Sequence, residues 1–264
     1  MLHNVGLDET TVTKTLRMSH EFNAKVLAMV QRDSIVMERL SAFSLVVDIY
    51  GHCGTSMSVQ RVEHEIEDHI VPVGYIKQAD LEDQEAVRPQ NDYTTEQKLE
   101  MALSMARSLA VLHGFADGVI VHDDVQLCQW LRTKDDRLVL GDFNRAEIMS
   151  WNKTSGKYCK YNNGYAYGNV RQNNNPKEGD AVSVVVVVCC ACAVANAYCG
   201  FCLQYRSPEE FDGRDLDEQI DIFSLGNNFY ALLTGLWPFY ENEDDGFVQV
   251  TKGSFFTVVW RGLI

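Results

Sequence analysis

The chain has 264 residues, 46% hydrophobic and 23% charged, enough for one large globular domain or two small ones. A formal charge of −14 and a pI near 4.9 exclude a nucleic-acid surface, which needs a basic footprint, and disfavour an anionic membrane surface. The first ten residues are polar and include two acids, so the eight cysteines are expected as free thiols in a reducing, cytoplasmic compartment.

Taken in order, Thr11–Met18 alternates and predicts a strand that carries Lys14. Over Glu21–Leu40, Val26, Met29, Val30, Val36, Met37 and Leu40 recur at helical spacing. Leu45–Gly51 reads as the next strand and Ser58–Val62 as another. An acidic stretch, Glu63–Asp68, marks a boundary near residues 63–70, and Pro72–Tyr93 reads as a loop. Thr94–Gly114 is the clearest helix. Thr94 or Thr95 caps it, Glu96 and Gln97 stand near the capping-box position, and Gly114 ends it.

Val121–Asn144 organises the chain. Two apolar runs, Gln129–Leu131 and Leu138–Leu140, flank the charged turn Lys134–Arg137 and predict a β-hairpin. Asp124 stands before its first strand and Asp142 after its second, so two carboxylates share one end. One can serve a hydroxyl proton and the other a metal ion. Beyond it, Tyr158–Pro176 is rich in Asn, Gly and Tyr and predicts an unstructured loop. Ala181–Leu203 carries no charge and is long enough to span a bilayer, but its valine and Cys/Ala tracts read better as a low-complexity insertion. Its cysteines lack the two-pair spacing of a zinc site and any thioredoxin-like surroundings.

Five motifs stand in order: His122-Asp123-Asp124, Asp142-Phe143-Asn144, Ser207-Pro208-Glu209, Asp221–Gly226 (D-I-F-S-L-G) and Ala231–Phe239 (A-L-L-T-G-L-W-P-F). Together they resemble the catalytic core of the protein kinases. The resemblance implies a two-lobed α+β kinase-like fold truncated at both ends. Residues 1–68 would be a partial N-terminal lobe and 69–264 a partial C-terminal lobe, with an insertion over about 152–204. It implies ATP and Mg²⁺ as cofactors, a protein substrate, and transfer of the γ-phosphoryl group to a protein hydroxyl. Lys14 would hold nucleotide phosphates, oriented by Asp33. Asp142 would hold Mg²⁺ and ATP, with Gln129 as a second metal ligand. Asp124 would orient or deprotonate the acceptor hydroxyl, and His122 and Phe143 would pack together. Glu209 would be a structural carboxylate, and no helix carrying its usual arginine partner is left in the sequence. Asp221 would accept hydrogen bonds from the catalytic-loop backbone, and it also reads as a helix N-cap.

The chain departs from the family at several positions. Asp123 stands for an arginine, Gln129 for an asparagine and Asn144 for a glycine; Asn is the milder change because it tolerates the left-handed region. Gln126 and Cys128 are neutral where the family places a cation. Only Gly6 precedes Lys14, so no Gly-rich loop is present. These departures keep a second reading open: a pseudokinase that acts as a binding or scaffold module. A small-molecule phosphotransferase is disfavoured by the Ser207-Pro208-Glu209 and Asp221–Gly226 motifs, and a membrane protein built around Ala181–Leu203 is the remaining alternative.

Overall fold

The structure, a computed structural model, describes residues 10–16, 22–71, 91–163, 205–211 and 213–238. The loop expected over Pro72–Tyr93 lies outside the described residues as far as residue 90. So do the Ala181–Leu203 run and everything after residue 238.

Mixed α and β elements build the fold, and its small sheets are antiparallel. Strands β1 (Thr11–Thr15), β2 (Ile49–Cys53) and β3 (Ser56–Gln60) form a sheet in the order β1-β3-β2, with Lys14 opposite Met57. The strand expected over Leu45–Gly51 is displaced. Val46 and Val47 are buried and run parallel to Leu140, with Val47 N–H donating to the Leu140 carbonyl at 3.0 Å. Their apolar side chains are drawn to the core before the chain turns out into β2.

Helix α1 (Ala24–Leu40) begins after Asn23, whose side chain accepts the Val26 N–H at 3.0 Å. Its inward face buries Val36, Met37 and Leu40, and with them the polar Asp33 and Ser34. Helix α2 (Thr95–His113) follows the sequence closely. The Thr94 hydroxyl accepts the Gln97 N–H at 3.2 Å and Gln97 accepts the Thr94 N–H at 2.8 Å, a complete capping box. Met101, Met105, Leu109 and Leu112 form its buried stripe. Each such side chain contributes about 1.5–3 kcal/mol relative to exposure.

The expected hairpin is present. Strands β6 (Trp130–Arg132) and β7 (Leu138–Leu140) pair antiparallel, and β4 (His64–Glu65) joins the outer edge of β6. Strand β5 (Val119–Val121) pairs with β8 (Glu147–Met149), and β9 (Trp151–Asn152) with β10 (Lys157–Tyr158). The unstructured loop expected from Tyr158 does not begin there: Tyr161 forms a bridge with Leu216, its N–H donating to the Leu216 carbonyl at 3.1 Å. That pairing fixes the backbone that composition alone marks as polar and loose.

A short helix α3 (Pro208–Phe211) precedes α4 (Gln219–Thr234), which ends at Gly235 in the left-handed conformation, φ 74°. Asp221 is not the N-cap of α4. Asp217 accepts the Gln219 N–H at 3.1 Å, so the helix starts earlier and Asp221 lies buried in its first turn. One apolar cluster joins α1, β7, α2 and α4 through Val36, Leu40, Leu109, Leu140 and Leu232. Among the described residues no helix is long and apolar enough to cross a membrane.

Candidate functional site

The hairpin delivers its two acids to one end, and β1 and α1 meet it there. Lys14 Nζ lies 2.8 Å from Asp33 Oδ2 and 2.9 Å from Asp142 Oδ1. Residues 19 and 128 positions away in sequence therefore converge on one ammonium. Burial works against the charge on Lys14, but Asp142 and Asp33 outweigh it and push the ammonium above the ordinary lysine value. Asp33 also accepts the Phe143 N–H on Oδ1 at 2.8 Å, so its buried carboxylate ties α1 both to the lysine strand and to the segment after β7.

Asp142 adopts φ 60°, a left-handed conformation uncommon outside glycine. The left-handed residue of the Asp-Phe-Asn triplet is thus Asp142 and not Asn144, and the tolerance expected of Asn144 is not called upon. Asn144 Nδ2 instead donates to Asp142 Oδ1 at 2.8 Å. Burial raises the Asp142 carboxyl, opposed by Lys14 and reinforced by Asp33. Phe143 is buried against His122, with ring centroids 5.0 Å apart. His122 Nε2–H donates to the Gly141 carbonyl at 3.0 Å. Gly141 sits close against its neighbours: a Cβ there would meet the side chains of Leu131 at 3.0 Å and Val47 at 3.1 Å, and both would have to give way slightly.

The segment before the hairpin is held from α4. Asp221 accepts the His122 N–H at 2.8 Å, the Asp123 N–H at 3.0 Å and His113 Nε2–H at 2.9 Å. The sequence places this carboxylate on that backbone, and the geometry agrees. The two bonds also hold Asp123 at φ 58°.

Asp124 is 1% exposed. Its Oδ1 accepts Gln126 Nε2 at 2.8 Å and an Arg206 guanidinium N–H, and its Oδ2 accepts Gln129 Nε2 at 3.1 Å. Gln129 therefore spends its amide nitrogen on Asp124. Burial alone pushes the Asp124 carboxyl up, but Arg206, with Arg145 and His122, reverses this and holds it below the ordinary carboxylate range. Gln126 and Cys128 are neutral where the resemblance implies a cation, and the cation in contact with Asp124 arrives from residue 206.

Asp123 is buried beside Arg145, 3.5 Å from Nη2, and accepts two contacts from Asn163 Nδ2 at 3.1 and 3.2 Å. Burial raises its carboxyl against the pull of both arginines. The later segment expected to supply an arginine to Glu209 lies outside the described residues. Glu209 is half-buried, while its neighbour Glu210 is 1% exposed and accepts the Ser207 N–H at 2.8 Å and Arg206 Nη1 at 3.3 Å. The first turn of α3 points residue 210 inward, so the buried carboxylate falls one position later and has its own arginine.

Arg145, Asn163, Arg206 and Glu210 are the site residues that sequence reading missed. Charge balance was the available signal, since adjacent acids at 123 and 124 in an apolar stretch require cations. Among the described residues no group of three or more His, Cys, Asp or Glu side chains gathers as a ready-made metal centre. Oxygen donors suit Mg²⁺, which binds through one or two carboxylates together with phosphates and water. Asp142 fits that pattern, because both bonds it accepts from described residues fall on Oδ1. Lys14 fits a phosphate, because an ammonium has three N–H groups and two are engaged. Compared with known proteins, the chain matches no family model and no curated protein.

Proposed function

We propose that this chain is a divergent protein-kinase-like domain that binds Mg²⁺–ATP and transfers the γ-phosphoryl group to a protein hydroxyl. The observation that carries the reading is the convergence of Lys14, Asp33 and Asp142 from a strand, a helix and the end of a hairpin. In this reading β1–β3 and α1 belong to a smaller lobe, and the hairpin, α2 and α4 to a larger one.

Bound Mg²⁺ supplies a Lewis acid that offsets charge on the phosphates. Lys14 holds phosphate oxygens by its third N–H, and Asp33 keeps its ammonium in place. Asp142 would hold the metal, with Asn144 and Lys14 bonded to its Oδ1. Gln129 has its nitrogen turned to Asp124, so its part is to brace that carboxylate as well as to offer the metal an amide oxygen. Asp124 accepts the hydrogen bond of the incoming hydroxyl. As the hydroxyl oxygen bonds to phosphorus and the bond to the departing nucleoside diphosphate breaks, Asp124 takes the released proton. A carboxylate held below the ordinary range is a weak base, so orienting the hydroxyl is the larger part of its work.

A thermal-shift titration with Mg²⁺–ATP, followed by single-turnover transfer to a generic protein substrate, tests this. Wild type should be stabilised, and Lys14→Met and Asp142→Asn should not. Transfer should be lost in Asp124→Asn. Equal shifts in all three proteins sink the nucleotide site. One specific observation favours a second reading, the pseudokinase: Asp124 is enclosed and engaged by three N–H donors. Stabilisation by nucleotide with wild-type transfer no faster than Asp124→Asn decides for that reading.

A further inference from the structure

We propose that Arg206 is the positioning cation of Asp124, taking the place that a basic side chain at 126 or 128 would fill from within the loop. The inference rests on the reading of Asp124 as the carboxylate that faces the acceptor hydroxyl.

A carboxylate removed from water stays ionised only when a cation or several donors face it. Gln126 and Gln129 supply neutral N–H groups to Asp124, and Cys128 is apolar in effect. The positive charge in direct contact is the Arg206 guanidinium, which reaches Asp124 Oδ1, the oxygen also bonded by Gln126. Arg206 is 3% exposed and is not a passing surface contact. Its Nη1 donates to the Asp123 carbonyl at 2.7 Å and lies 3.3 Å from Glu210 Oε1. Glu210 in turn accepts the Ser207 N–H at 2.8 Å, and Ser224 Oγ donates to the Tyr205 carbonyl at 2.7 Å. The planar guanidinium is therefore fixed on several sides, and its fork makes two of its contacts to adjacent residues of one loop.

This arrangement has a consequence that a cation inside the loop would not have. Arg206 belongs to the segment leading into α3, so the orientation and charge of Asp124 depend on that segment being docked against α4. A cation at 126 would travel with Asp124 wherever the loop went. Here a guanidinium supplied from a distant part of the chain couples the two.

The test is transplantation of the cation. Arg206→Gln removes it, and Gln126→Lys in the Arg206→Gln background returns an ammonium to the same oxygen. Two readouts are taken on the full chain: single-turnover transfer, and amide exchange over residues 123–126. Arg206→Gln should lower transfer by about 10²–10³-fold and raise exchange at these residues, with the Mg²⁺–ATP thermal shift retained. The Gln126→Lys/Arg206→Gln protein should recover at least about tenfold of the rate and bring the exchange back toward wild type. Should Arg206→Gln not fold, Arg206→Lys serves: a retained ammonium should keep more of the wild-type exchange protection than Arg206→Met. Exchange unmoved in Arg206→Gln, or not restored by Gln126→Lys, overturns the inference. Exchange that follows Arg206 in a protein with no transfer upholds it and removes the phosphotransferase reading instead.

Discussion

Replacing Asp221 by asparagine keeps the shape of the side chain and removes one acceptor from a buried crossing point. In the wild type Oδ2 accepts the His122 N–H and His113 Nε2–H, and Oδ1 accepts the Asp123 N–H. Asparagine satisfies the first two with its carbonyl and turns its NH₂ on the third. The Asp123 N–H then loses its acceptor at a buried position, 2% exposed, which costs about 1–3 kcal/mol. The two remaining bonds change from charge-assisted to neutral, about 1 kcal/mol each. Together Asp221→Asn should destabilise the fold by about 3–5 kcal/mol, which in a chain of this size lowers Tm by roughly 6–20 °C. Urea unfolding followed by far-UV circular dichroism measures the first, and a thermal scan the second. Amide exchange at His122 and Asp123 should rise beyond what the global change explains. A loss under about 1 kcal/mol with unchanged exchange would refute the claim that α4 anchors this segment.

Two further outcomes follow from the buried charges. Asp123 is paired with Arg145 and Asn163 within the chain and offers a negative charge where a phosphate would need a positive one, so phosphatase treatment should change transfer by less than about twofold; abolition of activity would contradict this. Burial pushes the Glu210 carboxyl up to about 7 against the pull of Arg206, from an ordinary value of 4.5. The folded protein then holds this proton where the unfolded chain has lost it, so the stability Glu210 contributes is full below about pH 4.5 and is lost as pH rises through about 7. Wild type should lose stability between about pH 5 and 8, and Glu210→Gln should show a flatter profile in denaturant unfolding; parallel profiles would show that Glu210 is not the group responsible.

What could be read in the sequence was governed by range. The capping box of α2 and the β6–β7 hairpin depend on residues within a few positions of one another, and both fall close to where the sequence puts them. The Lys14–Asp33–Asp142 cluster spans 128 positions, and it was legible only because a family pattern names those positions. Arg206 had no such pattern, and nothing local to Arg-Ser-Pro-Glu says that its guanidinium crosses to Asp124. Glu210 was not legible as a buried carboxylate, since which of two adjacent acids turns inward depends on the phase of α3. Leu45–Gly51 fits in part: Ile49, Tyr50 and Gly51 lie in β2, but the pull of the core on Val46 and Val47 takes them out of the sheet.

Among described non-glycine residues only Asp123, Asp136 and Asp142 have positive φ. Each such position admits Asp, Asn or Gly far more readily than any branched side chain. Sequences related to this one will therefore keep a short polar residue at 123 and 142 for the sake of the backbone, whether or not the site works. An acid retained at 142 says little about chemistry by itself. Asp33 is the informative position, because it lies within the ordinary helical backbone of α1, which makes no demand of its own for a short polar residue. Among the described residues, it is the Lys14 ammonium and the Phe143 N–H that call for an acceptor there. Divergent copies that have abandoned the site should drift first at 33, and those that still use it should not.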